Sequence, residues 1–183
     1  MRIILLFILL LVNSSIFAAD NFFTQLFGTS TYDEEKIPTD IFPQHQKANN
    51  RNVFVFDPNR HVWAVYNKSG DLVGTGRGSG GRDFCKDINK ECRTVVGKFT
   101  VFRREGNACT SNTFPIDEGG GAPMPHCMFF HEGYAIHGSN NVPDDNVSHG
   151  CIRVAKEAAR WMNNNYIKEG ATVVVLPYEN TQT

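Results

Sequence analysis

The stretch from His137 to Arg153, HGSNNVPDDNVSHGCIR, gathers the reactive side chains of this 183-residue chain. It holds two His-Gly dipeptides, and the second runs directly into Cys151. A thiol becomes a useful nucleophile when a nearby imidazole takes its proton and close backbone N–H groups receive an oxyanion. His137, His149, Gly150 and Cys151 supply those parts, and the chemistry they fit is acyl transfer through a thioester. Cys151 is the expected nucleophile, since a structural cysteine has no use for flanking His and Gly in this order. His149 is a rival base to His137; being two residues from the thiol, it can equally steady the loop or support the oxyanion site. Gly150 leaves room for a bent backbone whose N–H, with that of Cys151, can point at the developing oxyanion.

The segments IHG (Ile136 to Gly138) and SHGCIRV (Ser148 to Val154) resemble the signature of the YkuD-type L,D-transpeptidases, cysteine enzymes that cross-link bacterial peptidoglycan. Upstream, TVVGKFTVFRR (Thr94 to Arg104) is similar to the stretch that commonly precedes it, so the likeness spans roughly 52 to 176. The interval from His137 to Ser148 is shorter than in the family, so this loop is where the chain departs. The resemblance implies that His137 is the base, with Nε2 toward the thiol and the other nitrogen oriented by the carbonyl of the next residue, here Gly138. It also implies a Cys-His pair with no acidic third member. Arg153 then suits the acidic groups of a peptidoglycan stem peptide, its fork matching a carboxylate; a surface salt bridge is the plain alternative. Ser148 reads as a hydrogen bonder within the loop.

Zinc is the competing chemistry, because His137, His149 and Cys151, or His126, Cys127 and His131, are possible ligands. No double pair of ligands at structural spacing is present, so no metal is expected. The run GTGRGSGGR (Gly74 to Arg82) lacks the GK[ST] ending and following helix of a phosphate loop, so no nucleotide cofactor is expected either, and it reads as a flexible connection.

The elements that must position these residues follow from the chain in order. Residues 1–18 carry one charge, Arg2, then the apolar run IILLFILLLV and small residues up to Ala18. That run is too short for a span of about 20 residues and fits a secretory signal cleaved after Ala18, a retained anchor being the alternative. Removing Arg2 takes the formal charge from −1 to −2. No dense Lys/Arg run exists to neutralise phosphates, so nucleic acid is not an expected partner. Export to the periplasm or cell envelope is the expected destination, with no stable membrane span afterwards.

Residues 19–50 form a polar extension without sustained periodicity, whose aromatic pairs, such as Phe22-Phe23, are expected to pack onto the domain. A single catalytic domain is expected over 51–177 and a polar tail over 178–183. Strands are expected at VFVFD, HVWAVYN (with His61 as a strand residue) and LVGTG, then TVV and FTVFRR on either side of a turn at Gly97-Lys98. The long irregular region 105–125 is a candidate wall or lid of the cleft. MFFHEGYAIHG reads as the strand that delivers His137. Apolar spacing at Val154, Ala158, Trp161, Met162 and Tyr166 predicts a helix from Ala155 to Lys168, with Gly170 as stop signal. The fold class is therefore mostly β, a sandwich or barrel with one substantial helix after the nucleophile, and the resemblance implies the same catalytic fold.

Five cysteines in an exported chain suggest disulfides plus one free thiol. If Cys151 is the free one, the other four allow three pairings. Cys85 with Cys92 and Cys109 with Cys127 is favoured because both close short excursions flanking strands; in a cytoplasmic chain all would be reduced. The function expected is cross-linking of peptidoglycan stem peptides with release of D-alanine. Two alternatives stay open: a carboxypeptidase or amidase handing the same acyl group to water, and a catalytically silent cell-wall binding module.

Overall fold

The computed structural model describes residues 41–179. The leader with its cleavage point, the Phe22-Phe23 pair and the last residues of the tail lie outside the described residues. The strands are β1 (Val53–Asp57), β2 (Val62–Tyr66), β3 (Leu72–Ser79), β4 (Phe84–Cys85), β5 (Lys90–Glu91), β6 (Gly97–Thr100), β7 (Arg103–Arg104), β8 (Met128–His131), β9 (Tyr134–Ser139), β10 (Ile152–Ala155) and β11 (Thr172–Val175). Among the described residues one helix, α1 (Lys156–Asn165), follows β10.

Nine strands form one sheet in the order β6-β11-β1-β2-β3-β10-β9-β8-β7, and β4 with β5 forms a separate hairpin. The sheet curls until β6 meets β8, where the Phe99 and Phe130 rings lie 5.6 Å apart. Inside the curl sits a core that includes Phe54, Phe56, Val65, Met128, Ile136 and Ile152. Helix α1 closes it by burying Ala159 and Met162 against β9 and β10.

Strands β1 and β2 are buried on both faces because the chain preceding them lies across the outer one. Phe42 packs with Val53, Val62, Ala64 and Tyr66. The Tyr66 hydroxyl donates to the Pro43 carbonyl at 2.9 Å, and Leu72 N–H donates to the Gln44 carbonyl at 3.0 Å. Residues 41–46 thus pack on the domain. At the other end Tyr178 joins the body, its hydroxyl accepting from Thr94 N–H at 3.0 Å.

Several local expectations change in the structure. The glycine-rich run is not a flexible connection; Gly74 to Gly78 lie within β3. Its glycines admit aromatic rings: a Cβ on Gly74 would sit 2.7 Å from Trp161, and one on Gly76 would sit 2.3 Å from Trp63. His61 is not a strand residue but the end of a turn, with φ 54°. That turn is set by Asp57, whose carboxylate accepts from the N–H groups of Asn59 and Arg60. Gly97-Lys98 is not a turn either: Gly97 opens β6, and TVV stays outside any strand. MFFHEGYAIHG is a hairpin of β8 and β9 that turns at Glu132-Gly133. Helix α1 stops at Asn165 rather than Lys168, since three successive asparagines are poor helix formers. The buried Asn163 amide donates instead to the Glu105 carbonyl at 3.0 Å, and Lys168 Nζ donates to the Asn163 carbonyl at 3.0 Å. Among the described residues no helix is long and apolar enough to cross a membrane.

Candidate active site

Strands β9 and β10 run parallel, with Ile136 opposite Ile152 and His137 opposite Arg153. Because side chains alternate across a strand, Ile136, Ile152 and Val154 enter the core while His137, Cys151 and Arg153 share the other face. That face opens into a cleft of about 780 Å³, lined by His137, Ser148, His149, Cys151 and Arg153. The structure therefore brings Cys151, the nucleophile expected from sequence, into one cleft with both histidines singled out there.

The His137 ring is buried, and its Nδ1 lies 3.0 Å from the Gly138 carbonyl. A carbonyl only accepts, so Nδ1 carries the proton and Nε2 presents a lone pair. Burial drives the imidazole down to about 4; the Gly138 carbonyl partly opposes this and the Arg153 charge adds to it. Burial also pushes the Cys151 thiol up, against the backbone hydrogen bond from Ala135 and the charge of Arg153. At neutral pH the cleft thus holds a thiol, 3.7 Å from the Gly133 carbonyl, and a neutral imidazole, which suits proton transfer during attack rather than a preformed ion pair.

The turn Ser148–Cys151 is tied to the segment after β3. Ser148 N–H donates to the Gly80 carbonyl at 2.9 Å, and Arg82 N–H donates to the Ser148 carbonyl at 3.0 Å. The Ser148 hydroxyl donates to the Cys151 carbonyl at 2.5 Å and accepts from Gly150 N–H at 3.0 Å. The Gly150 N–H is therefore engaged within the turn and not directed at an oxyanion, contrary to the sequence expectation, because the serine hydroxyl reaches it first. Gly150 has φ +120°, and a Cβ there would lie 2.5 Å from the Tyr134 ring. His149 is occupied elsewhere: its Nε2 is 2.6 Å from an Asp87 carboxylate oxygen, and its ring lies 4.2 Å from that of Phe114.

The short connection between His137 and Ser148 is fastened along its length. Asp144 pairs with Arg77 at 2.9 Å and with His61 at 3.1 Å. Ser79 donates its hydroxyl to the Asp145 carbonyl at 2.7 Å, and Asn146 accepts from Gly80 N–H and donates to the Pro58 carbonyl. The opposite wall comes from the irregular region 105–125, through residues such as Thr110 and Phe114. Arg153 is half-buried, and burial first, then the neighbouring Arg82, pulls its pKa below the ordinary arginine value. Among the described residues no carboxylate pairs with it, so the surface salt bridge is not what is found. Asp87, Phe114 and Tyr134 escaped the sequence reading; only the Cys85/Cys92 bracket around Asp87 marked it out.

Cys85 is bonded to Cys92, Cys109 to Cys127, and Cys151 is free. Among the described residues two groups of potential ligand atoms come together, Cys85-Asp87-His149 and Glu105-Cys109-Cys127, but each draws on disulfide sulfur and so lacks the thiolates a zinc site would use. Alkylation of unreduced protein is expected to label Cys151 alone and to leave two linked peptide pairs, read by mass spectrometry. A label on any other cysteine would contradict this pairing.

A model of the YkuD L,D-transpeptidase catalytic domain matches residues 46–175. No curated protein shows a significant match. The L,D-transpeptidase from Xylanimonas cellulosilytica superposes with a TM-score of 0.61 at 22% identity, covering 73% of this chain and 64% of that one. L,D-transpeptidase 3 from Mycobacterium tuberculosis, solved with a faropenem-derived adduct, gives 0.58 at 25% identity, covering 69% and 60%. An L,D-transpeptidase from Stackebrandtia nassauensis gives 0.59 at 17% identity, covering 78% and 63%. The chain spans less than two thirds of each of these structures. The match over 46–175 covers most of the chain and includes the whole cleft, and the chain belongs to the YkuD family of L,D-transpeptidase catalytic domains.

Proposed function

We propose that this chain is an exported cysteine transpeptidase of peptidoglycan stem peptides. The observation that carries this reading is the neutral His137, its Nδ1 committed to Gly138, sharing a cleft with the one free cysteine. Cys151 attacks the carbonyl after the L-centre of a donor tetrapeptide while His137 Nε2 takes the thiol proton. With Gly150 N–H engaged by Ser148, the donor to the oxyanion is the Cys151 N–H. Collapse breaks the peptide bond, the proton passes from His137 to the departing D-alanine amine, and a thioester remains. An acceptor amine then displaces the thiol, and the cross-link forms. Arg153, a cation with no carboxylate partner among the described residues, holds an acidic group of the peptide. The leader and the two disulfides support an oxidising compartment, the periplasm or cell envelope.

Incubation with a disaccharide tetrapeptide, with product masses read over time, is expected to show loss of D-alanine and appearance of a dimer. Hydrolysed tripeptide alone would assign the chain to carboxypeptidases. No turnover by folded protein with a reactive thiol would favour the silent binding module.

A further inference from the structure

Asp87 sits in the loop between β4 and β5 that the Cys85–Cys92 disulfide closes. Its carboxylate meets His149 Nε2 at 2.6 Å, and that hydrogen bond, with a smaller contribution from Arg82, holds Asp87 below the usual carboxylate range. The same imidazole stacks on Phe114, which belongs to the wall region closed by Cys109–Cys127. His149 therefore joins two covalently closed loops on the rim of the cleft, immediately before the glycine that precedes the nucleophile.

The turn needs such a tether. Ser148 is bonded on both sides to Gly80 and Arg82, whereas Gly150, at positive φ and held through its N–H by the Ser148 hydroxyl, has no side chain of its own to fix it beside Cys151. The His149 side chain is the handle on that half of the turn. As a half-exposed ion pair, His149-Asp87 contributes little to stability, so its value lies in placement.

We propose that Asp87 is a positioning residue for acyl transfer: by holding His149 it sets the Gly150-Cys151 peptide whose N–H receives the oxyanion. The inference rests on the thioester reading given above. It separates two reactions of the same sulfur. Iodoacetamide forms an S–C bond with loss of iodide and needs no oxyanion donor. Imipenem forms an S–C bond through a tetrahedral oxyanion while the lactam C–N bond breaks and the thiol proton, carried by His137, ends on the lactam nitrogen.

The test measures both rates by mass spectrometry on the oxidised mature protein, for wild type, Asp87→Ala and Asp87→Asn. Asp87→Ala is expected to slow imipenem acylation by about tenfold, within the penalty of up to about 100-fold for a misplacement on the order of 1 Å. Alkylation is expected to stay within about twofold of wild type, because it needs no oxyanion donor. Asp87→Asn keeps an acceptor oxygen for His149 and is expected to recover most of the acylation rate. Acylation of Asp87→Ala at the wild-type rate, or a parallel fall of acylation and alkylation, overturns the inference. Wild type that is alkylated but takes up no imipenem overturns the thioester reading itself, and the inference with it.

Discussion

Replacing His137 with Ala is expected to slow imipenem acylation of Cys151 by about 100- to 10,000-fold, the range a general base supplies. His149→Ala is expected to slow it by about tenfold, the cost of a loosened turn. The difference follows from where each ring is committed. His137 offers Nε2 to the cleft because Nδ1 is bonded to Gly138, whereas His149 gives Nε2 to Asp87. The pH dependence follows as well. With His137 at about 4, its base form is already populated at mildly acid pH, so acylation should rise through about pH 4 and hold level toward neutrality. Stability changes in the same window: between the ordinary histidine value and about 4 the unfolded chain binds the proton first, so stability falls as pH falls through it. Time-resolved masses on both variants, with thermal melts to establish folding, decide the matter. Equal acylation of wild type and His137→Ala would remove His137 from the mechanism.

A single added methyl at Gly81 is expected to destabilise the protein by about 3 kcal/mol or more, at or above the upper end of ordinary overpacking. A Cβ at Gly81 would lie 1.8 Å from the Cys92 carbonyl oxygen, 2.8 Å from Gly150 Cα and 2.8 Å from Thr94 N. All three are backbone atoms, so no rotamer change relieves the overlap. The backbone cannot retreat cheaply either, since Gly81 N–H donates to the Thr94 hydroxyl at 2.9 Å and its carbonyl accepts from Tyr178 at 3.3 Å. Gly106 is the control, because a Cβ there meets nothing within 4 Å. Chemical denaturation of Gly81→Ala and Gly106→Ala should separate the two clearly. Similar midpoints would mean that the Cys92, Thr94 and Gly150 backbones are not packed against Gly81 at these distances.

What could be seen from sequence was what is local in the chain. Ser148 to Arg153 carries the free cysteine, its turn and the neighbouring cation in one run, and the helix after it announces itself by apolar spacing. The Gly138 carbonyl on His137 came from the family likeness and stands at 3.0 Å. What escaped notice was set by partners distant in sequence. The glycines of β3 look like linker until Trp63 and Trp161 are laid over them. Asp87 lies 62 residues from the histidine it holds. The engagement of the Gly150 N–H escaped notice for a different reason: a serine hydroxyl two residues back competes for the same N–H, and the fold of the turn decides which acceptor it takes.

The alternation of β9 and β10 carries a consequence for how such a protein can change over generations. Even-numbered Ile136, Ile152 and Val154 face the core, and odd-numbered His137, Cys151 and Arg153 face the cleft. Fold maintenance and the proposed catalysis thus fall on interleaved positions along β9, β10 and the residue leading into β10. Under the proposed function, selection for a new acceptor or against an inhibitor can work on the cleft-facing positions, and on the wall around Phe114, without drawing on Ile136, Ile152 or Val154. Mutational robustness and functional adaptability, commonly in conflict at a buried site, here occupy opposite faces of one strand pair.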